Sequence, residues 1–221
     1  MLQFIVPLQS PEASKDWKRV SLLCCRTIRS ICAQTDDHFQ VLLIANQLPA
    51  DLPDHPALRT IVEPFPPPKY PTDRMVDKWR KVQRGLIEVR SQAPFHTMIV
   101  DADDCVSRRL SSHVHRKGSR HGWILDRGFL HDEGSRTALL QEGFDLICGT
   151  SSIVYTDRDD LPESMDENPG HFPILANGHT GIRKAMKVLG KPLRHLPFAG
   201  SCYILGTNEN HSQFSLRNRK S

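Results

Sequence analysis

Phe95-His96-Thr97-Met98-Ile99-Val100-Asp101-Ala102-Asp103-Asp104 carries an apolar run directly into three carboxylates. A short apolar run of this length predicts a buried β-strand over Phe95–Val100. In an open α/β sheet, ligands bind at the carboxyl ends of the strands, which is where these acids fall. If the strand continues through Asp101 and Asp103, alternation sets both side chains on one side. Crowded carboxylates resist joint ionisation unless a cation neutralises them. A donor set made only of oxygens suits Mg²⁺ or Mn²⁺, which also accept oxygens from substrate phosphates. The same spacing recurs at Asp157-Arg158-Asp159, after the shorter run Ile153-Val154-Tyr155, and there predicts a hydrated loop.

Upstream, Phe4 to Leu8 reads as a strand closed by Gln9-Ser10-Pro11. Between Lys15 and Gln34, apolar residues at Trp17, Val20, Cys24, Ile28 and Ile31 step by three and four, the mark of a helix with one buried face. Strands at Val41–Ala45 and Leu58–Val62 follow, with Asn46 opening the loop between them. Strand, helix and strand at this spacing form a βαβ unit and favour a parallel sheet. Glu63–Pro71 holds five prolines and must be extended or turning. Only about 60 residues precede it, marginal for a separate domain, so it reads as a loop within one fold. A helix over Arg74–Arg90 has Met75, Trp79, Val82, Leu86 and Val89 on its apolar face, with Asp77, Lys78 and Lys81 off that stripe. Those lysines are either a solvated basic face or a phosphate-facing one.

Downstream, the pattern predicts a helix over Val106–His115, strands at Gly122–Leu125 and Asp145–Cys148, and a small-residue turn at Gly149-Thr150-Ser151-Ser152. A polar, proline-punctuated loop runs over Tyr155–His171. A helix over Thr180–Leu189 stops at Gly190 with Pro192 beyond. The last strand falls within Leu196–Leu205, and no internal repeat is present.

The 221 residues suit one compact domain, and 38% hydrophobic with 24% charged residues describes a globular protein. A net charge of +4 is compatible with an anionic small ligand and too weak to argue for nucleic acid, the basic Arg217-Asn218-Arg219-Lys220 included. Six cysteines without CxxC spacing read as reduced core residues of a cytoplasmic protein. No apolar stretch approaches the roughly 20 residues of a membrane span. Met1–Pro7 lacks a basic leader and reads as the first strand rather than a signal peptide.

The ordered set "FIVPLQS", "DKWRKVQRGL", "MIVDADD", "GWILDRGFL", "CGTSSIV", "PLRHLPF" and "GTNENHS" resembles glycosyltransferases of the GT-A type, in particular a bacterial group of small family-2-like members. The resemblance covers nearly the whole chain, and the shared order carries it more than any one motif. It implies a single α/β GT-A (Rossmann-like) domain over 1–221, with a mixed, mainly parallel central sheet and flanking helices. The nucleotide-binding part would be about 1–104 and the acceptor-side part about 105–221. The activity implied is metal-dependent transfer of a sugar from a UDP- or GDP-linked donor to a glycan, lipid-linked or small-molecule acceptor.

By the same resemblance, Pro7 and Leu8 would border the base and ribose, with Asn46 nearby. Asp77, Lys78 and Lys81 would face the donor, the lysines near its phosphates. Asp101 would contact ribose or Mn²⁺/Mg²⁺, Asp103 would ligate the metal, and Asp104 would form a salt bridge or hold the sugar. His211 would complete the metal site, whereas His195 reads as structural. On the acceptor side, Trp123 is a candidate stacking platform, and Asp132, Glu133 and His179 are candidate general bases. The Glu-Asp pair that such enzymes carry near the last helix is replaced by Gly178-His179-Thr180, which leaves inverting and retaining chemistry both open.

Two other classes fit parts of the pattern. A sugar nucleotidyltransferase would carry a glycine-rich basic loop after the first strand, where this chain has Gln9-Ser10-Pro11-Glu12. A non-catalytic nucleotide- or sugar-binding module of the same fold would bind a donor without turning it over.

Overall fold

A computed structural model describes residues 1–70, 72–207 and 209. The first half alternates β1 (Leu2–Pro7), α1 (Trp17–Cys32), β2 (Phe39–Ala45), β3 (Leu58–Val62), α2 (Asp73–Val89) and β4 (Phe95–Ile99). The second half adds β5 (Cys105–Val106), α3 (Leu110–Lys117), β6 (Gly122–Ile124), β7 (Arg127–Asp132), β8 (Leu139–Glu142) and β9 (Ser152–Thr156). It ends with α4 (Pro173–Ala176), α5 (Gly178–Val188), β10 (Arg194–His195) and β11 (Ser201–Leu205).

The main sheet has seven strands in the order β10-β6-β9-β4-β1-β2-β3. Strand β9 runs antiparallel to both its neighbours, and the other pairings are parallel. This is the mixed, mainly parallel α/β architecture that the resemblance implies, its parallel part being what the βαβ reading predicts. A second sheet, β5-β11-β7-β8, stands beside it.

Alternation along β1 and β2 explains the layering. Leu2, Phe4 and Val6, with Val41 and Leu43, join Cys24, Ile28 and Ile31 of α1 and Leu110 and Val114 of α3 on one face. Ile5, Leu42 and Ile44 turn to the other face, against Val82, Leu86 and Val89 of α2 and Ile182 and Met186 of α5. Covered on both sides, β1 is buried along its whole length, as a central parallel strand should be. Helix α2 sits close to the sheet at Gly85, where an added Cβ would lie 2.8 Å from Ile44 Cδ1.

The strand order fixes where a ligand can enter. From β1 the chain winds outward through β2 to β3, then returns by α2 to place β4 on the opposite side of β1. That reversal is a topological switch point, and the carboxyl ends of β1 and β4 diverge there.

Three local expectations are corrected. Asp145–Cys148 is not a strand: Phe144–Leu146 form a 3-10 turn after Gly143, which takes a φ of 64°. The buried Asp145 is held there by Arg183 of α5 at 3.2 Å. The helix expected over Val106–His115 begins only at Leu110, because Cys105 and Val106 pair with β11. The polar loop expected from Tyr155 begins after Thr156, since Ile153–Thr156 belong to β9. Asp157-Arg158-Asp159 does fall in an exposed turn, with Asp157 capping it. All six cysteines are free, and no helix among the described residues is long and apolar enough to cross a membrane.

Candidate functional site

A cavity of about 270 Å³ opens at the switch point. Its floor comes from the ends of β1 and β4. The Leu8 N–H donates to Ile44 O at 2.9 Å and the Val100 N–H donates to Ile5 O at 2.9 Å, so the ladder continues one residue past each strand. Pro7 and Leu8 line one side of the cavity, and Asp101, Ala102 and Asp103 line another. Helix α2 supplies Asp77, Lys78 and Lys81, and α5 supplies His179.

The acidic segment is a turn rather than a continued strand, which corrects the alternation argument. Strand β4 ends at Ile99, and the Asp104 N–H donates back to Asp101 O at 3.0 Å. Thr150 holds this turn from behind. Its hydroxyl accepts from the Asp101 N–H at 3.0 Å and donates to Asp104 Oδ2 at 2.6 Å. The Cys148 thiol also donates to Asp104 Oδ2, at 3.2 Å, and Thr27 Oγ1 donates to the Asp104 carbonyl at 2.6 Å.

Each carboxylate of the turn has its own surroundings. Asp101 Oδ1 is paired with the Lys78 ammonium. Burial works against the Lys78 charge, but Asp101, Asp104 and Asp103 outweigh it and raise its pKa. Asp103 is pushed up to about 7 by burial and by the neighbouring Asp101 charge. Asp104 is fully buried and does not line the cavity, so it cannot hold a sugar from this position. Burial, then Asp103 and Asp101, raise its pKa well above the usual carboxylate range. Gly149 permits the arrangement, because a Cβ there would fall 2.4 Å from Asp101 Oδ2 and 3.3 Å from Lys78 Nζ.

The α2 residues are not a solvated basic face. Lys81 is fully buried, with its Nζ 2.8 Å from Asp77 Oδ2 and 5.6 Å from the centre of the Phe65 ring. Burial lowers the Lys81 pKa against the opposing pull of Asp77. Asp77 lines the cavity, and its Oδ1 is buried without a hydrogen-bond partner among the described residues. His179 stands at the start of α5, and its pKa is lowered by burial and then by the Lys78 charge.

Other expected site residues lie elsewhere. Asn46 Nδ2 donates to Phe65 O at 2.6 Å, so it closes the β2 loop instead of lining the cavity. Trp123 is 3% exposed in the core, against His96 and His113, and offers no free face to a sugar. Glu133 is tied to Arg19 at 2.9 Å and Arg26 at 3.2 Å; the two arginines outweigh burial and lower its pKa, which makes it a poor base. Asp132, at the end of β7, is not among the described residues lining the cavity. His195 is exposed and pairs with Asp126 at 2.6 Å. His211 lies outside the described residues.

Sequence reading missed Gly149, Thr150, Arg74 and Glu209. Arg74 Nη2 donates to Ala13 O at 3.0 Å, pinning the start of α2 to the loop after β1. Glu209 is 8% exposed and lines the cavity. It accepts from the Asp16 N–H at 2.9 Å, the Lys15 N–H at 3.3 Å and Gln9 Nε2 at 3.1 Å. The small residues of "CGTSSIV" and the acid of "GTNENHS" were the available signals.

Asp101 and Asp103 both line the cavity, and their side chains offer only carboxylate oxygen as ligand atoms. Such a donor set fits a hard divalent cation.

No family model and no curated protein matches the chain. Among solved structures, residues 1–349 of TarS from S. aureus match with 13% identity and a TM-score of 0.46, covering 92% of this chain and 60% of that one. The same protein in complex with UDP-GlcNAc matches with 12% identity and a TM-score of 0.45, covering 96% and 61%. A Bacillus anthracis protein described as a glucose-1-phosphate thymidylyltransferase, in complex with a sucrose, matches with 10% identity and a TM-score of 0.44, covering 90% and 88%. This chain therefore spans about 60% of the length of the TarS fragment. With TM-scores below 0.5, these likenesses lend no weight to a function.

Proposed function

We propose that the chain is a nucleotide-sugar-dependent glycosyltransferase of the GT-A type. The observation that carries the reading is the convergence of Lys78, Asp101 and Asp103 with Pro7 and Leu8 at the sheet's switch point. An apolar wall beside a lysine and an acidic turn matches a ligand with a flat base at one end and a diphosphate at the other.

In this reading the base rests on Pro7 and Leu8, and Asp77 Oδ1 accepts a hydrogen bond from a base N–H or ribose hydroxyl. Lys78 lies beside the diphosphate and stabilises the charge that grows on the departing nucleoside diphosphate. Asp101 and Asp103, with His211, would hold Mn²⁺ or Mg²⁺. Such a cation neutralises phosphate charge when bound. His179, neutral near pH 7 because burial and Lys78 disfavour its charged form, takes the proton from the acceptor hydroxyl. The acceptor is a glycan, a lipid-linked sugar or a small molecule. The loop after β1, a glycine-free 3-10 turn over Pro11–Ala13, speaks against a sugar nucleotidyltransferase, whose triphosphate needs a flexible cradle there.

Calorimetric titration with UDP and GDP, each with and without Mn²⁺, tests the reading on the parent chain and on Asp103→Ala. The expected result is cation-dependent binding of one nucleotide that Asp103→Ala abolishes. No binding of either nucleotide under any condition would overturn the proposal. Binding without transfer or hydrolysis of any sugar donor would reduce the chain to a binding module. Release of pyrophosphate from a nucleoside triphosphate and a sugar phosphate would instead restore the nucleotidyltransferase.

A further inference from the structure

At the opposite end of the strands, the loop joining α1 to β2 meets the last turn of α3. We propose that Asp36, His38 and His115 form a second metal site, for a borderline transition ion such as Zn²⁺, separate from the cavity. The site lies at the amino end of the strands, because the Leu2 N–H donates to His38 O at 2.9 Å where β1 and β2 begin.

Both histidines aim the same ring nitrogen at one carboxylate. His38 Nδ1 lies 3.0 Å from Asp36 Oδ1, and His115 Nδ1 lies 3.0 Å from Asp36 Oδ2. The rings stack with centroids 3.5 Å apart at 29°. The His38 backbone N–H donates to Asp36 Oδ1 at 2.9 Å and fixes the carboxylate in place. Among the described residues, this is the group of three whose ligand atoms all fall within 4.8 Å of one another.

These distances match a coordination shell. Ligand atoms about 2.0–2.1 Å from one zinc ion stand about 3.0–3.4 Å from each other. Each Nδ1 stands at that distance from a different oxygen of the one carboxylate, so a shared ion would take both oxygens or draw the rings onto one, all three candidate ligand atoms lying within 4.8 Å of one another. Two imidazole nitrogens and one carboxylate favour Zn²⁺, Co²⁺, Ni²⁺ or Cu²⁺ over Mg²⁺ or Ca²⁺. Water completes the shell, since these three residues leave one side open to solvent.

The ion would clip elements far apart in sequence. Thr35 and Gln34 of the same loop already bond Arg108 O and Ser107 O ahead of α3, at 2.9 Å each. A ligand that binds only the folded chain stabilises it in proportion to its occupancy.

Titration of the chelator-treated full chain with ZnCl₂, read by calorimetry and by thermal denaturation, tests the proposal. One equivalent should bind with a rise in Tm. His115→Ala and His38→Ala should each weaken binding at least about tenfold and remove the Tm rise, whereas Asp103→Ala should keep both. Co²⁺ should give ligand-field absorption that both histidine variants lose. Both rings are about half-exposed, so the variants should fold, and circular dichroism checks this. The proposal fails if zinc up to about 100 μM does not bind. It fails equally if either histidine variant binds as the parent does.

Discussion

Gly149→Ala is the substitution that most directly tests how the acidic turn is built. The new Cβ would stand 2.4 Å from Asp101 Oδ2 and 3.3 Å from both Asp101 Cγ and Lys78 Nζ, where ordinary contact begins at 3.4 Å. The carboxylate must therefore retreat by about 1 Å. It cannot do so freely. Its other oxygen is held by Lys78, and its backbone N–H is held by Thr150 at 3.0 Å. Overpacking of this kind costs about 1–3 kcal/mol, and the lower end applies here because the Asp101 side chain is 29% exposed. In a domain of this size that is a fall in Tm of about 2–4 °C. A misplacement of about 1 Å at a binding or reacting centre costs up to about 100-fold, so nucleotide affinity should drop by about 10- to 100-fold.

A double-mutant cycle separates this clash from a general defect. In an Asp101→Ala background the obstructing carboxylate is gone, and Gly149→Ala should then be nearly neutral. Urea denaturation of the four chains should give a coupling of about 1 kcal/mol. Equal cost in both backgrounds would refute the packing argument. A Gly149→Ala chain that folds normally and binds nucleotide like the parent would refute its functional half.

Three further outcomes follow from the same geometry. If His179 is the base, kcat/KM of the transferase should rise through an acid limb set below the ordinary histidine pKa of about 6.5; His179→Ala should lose about 10²- to 10⁴-fold along with that limb, and a limb that persists in the variant counts against the assignment. Glu133→Gln should lower stability by about 1 kcal/mol at pH 7. Its folded pKa is depressed by Arg19 and Arg26, so that contribution is full above the unfolded value of about 4.3 and vanishes as pH falls through the folded one; urea melts that differ equally at pH 3 and pH 7 would contradict this. Trp123→Ala should cost about 3–5 kcal/mol as a core truncation while leaving nucleotide affinity unchanged in whatever folds, and weakened acceptor use with unchanged stability would restore the sugar-platform role.

The first half of the fold was legible because its elements are long and regular. The three-and-four spacing from Trp17 to Ile31 and the run Val41–Ala45 state their structure locally, and the βαβ order supplies the sheet direction. The second half was harder. Strands β7 and β8 have mixed polarity, with Phe129, Leu139 and Leu140 exposed, so no apolar period marks them. The element at Phe144–Leu146 depends on the pairing of Asp145 with Arg183, 38 residues away, which no local window contains. The same limit explains the site. Asp101, Lys78 and His179 carry chemistry in their side chains, which singles them out in the sequence, and the fold brings them to one cavity. Gly149 and Thr150 act by being small and by bracing a turn from a distant segment, and composition does not display that. Trp123 was misjudged because a tryptophan at a strand start reads alike whether it faces core or solvent.

The three acids of the turn are tolerable together only because the fold gives each a different electrostatic partner. Asp101 is balanced by an ammonium group. Asp104, wholly enclosed, receives hydrogen bonds from Thr150 and Cys148 but no ion pair among the described residues, and its raised pKa favours the neutral acid. Asp103 faces the cavity, with burial and Asp101 both opposing its charge. These positions are not interchangeable, since a second full charge at 104 would be buried without a counter-ion at a cost of several kcal/mol. The turn therefore concentrates its negative potential on the side facing the cavity, beside Lys78. A cation at Asp103 would relieve that excess of negative charge, and in the proposed reading it would arrive with the donor's diphosphate.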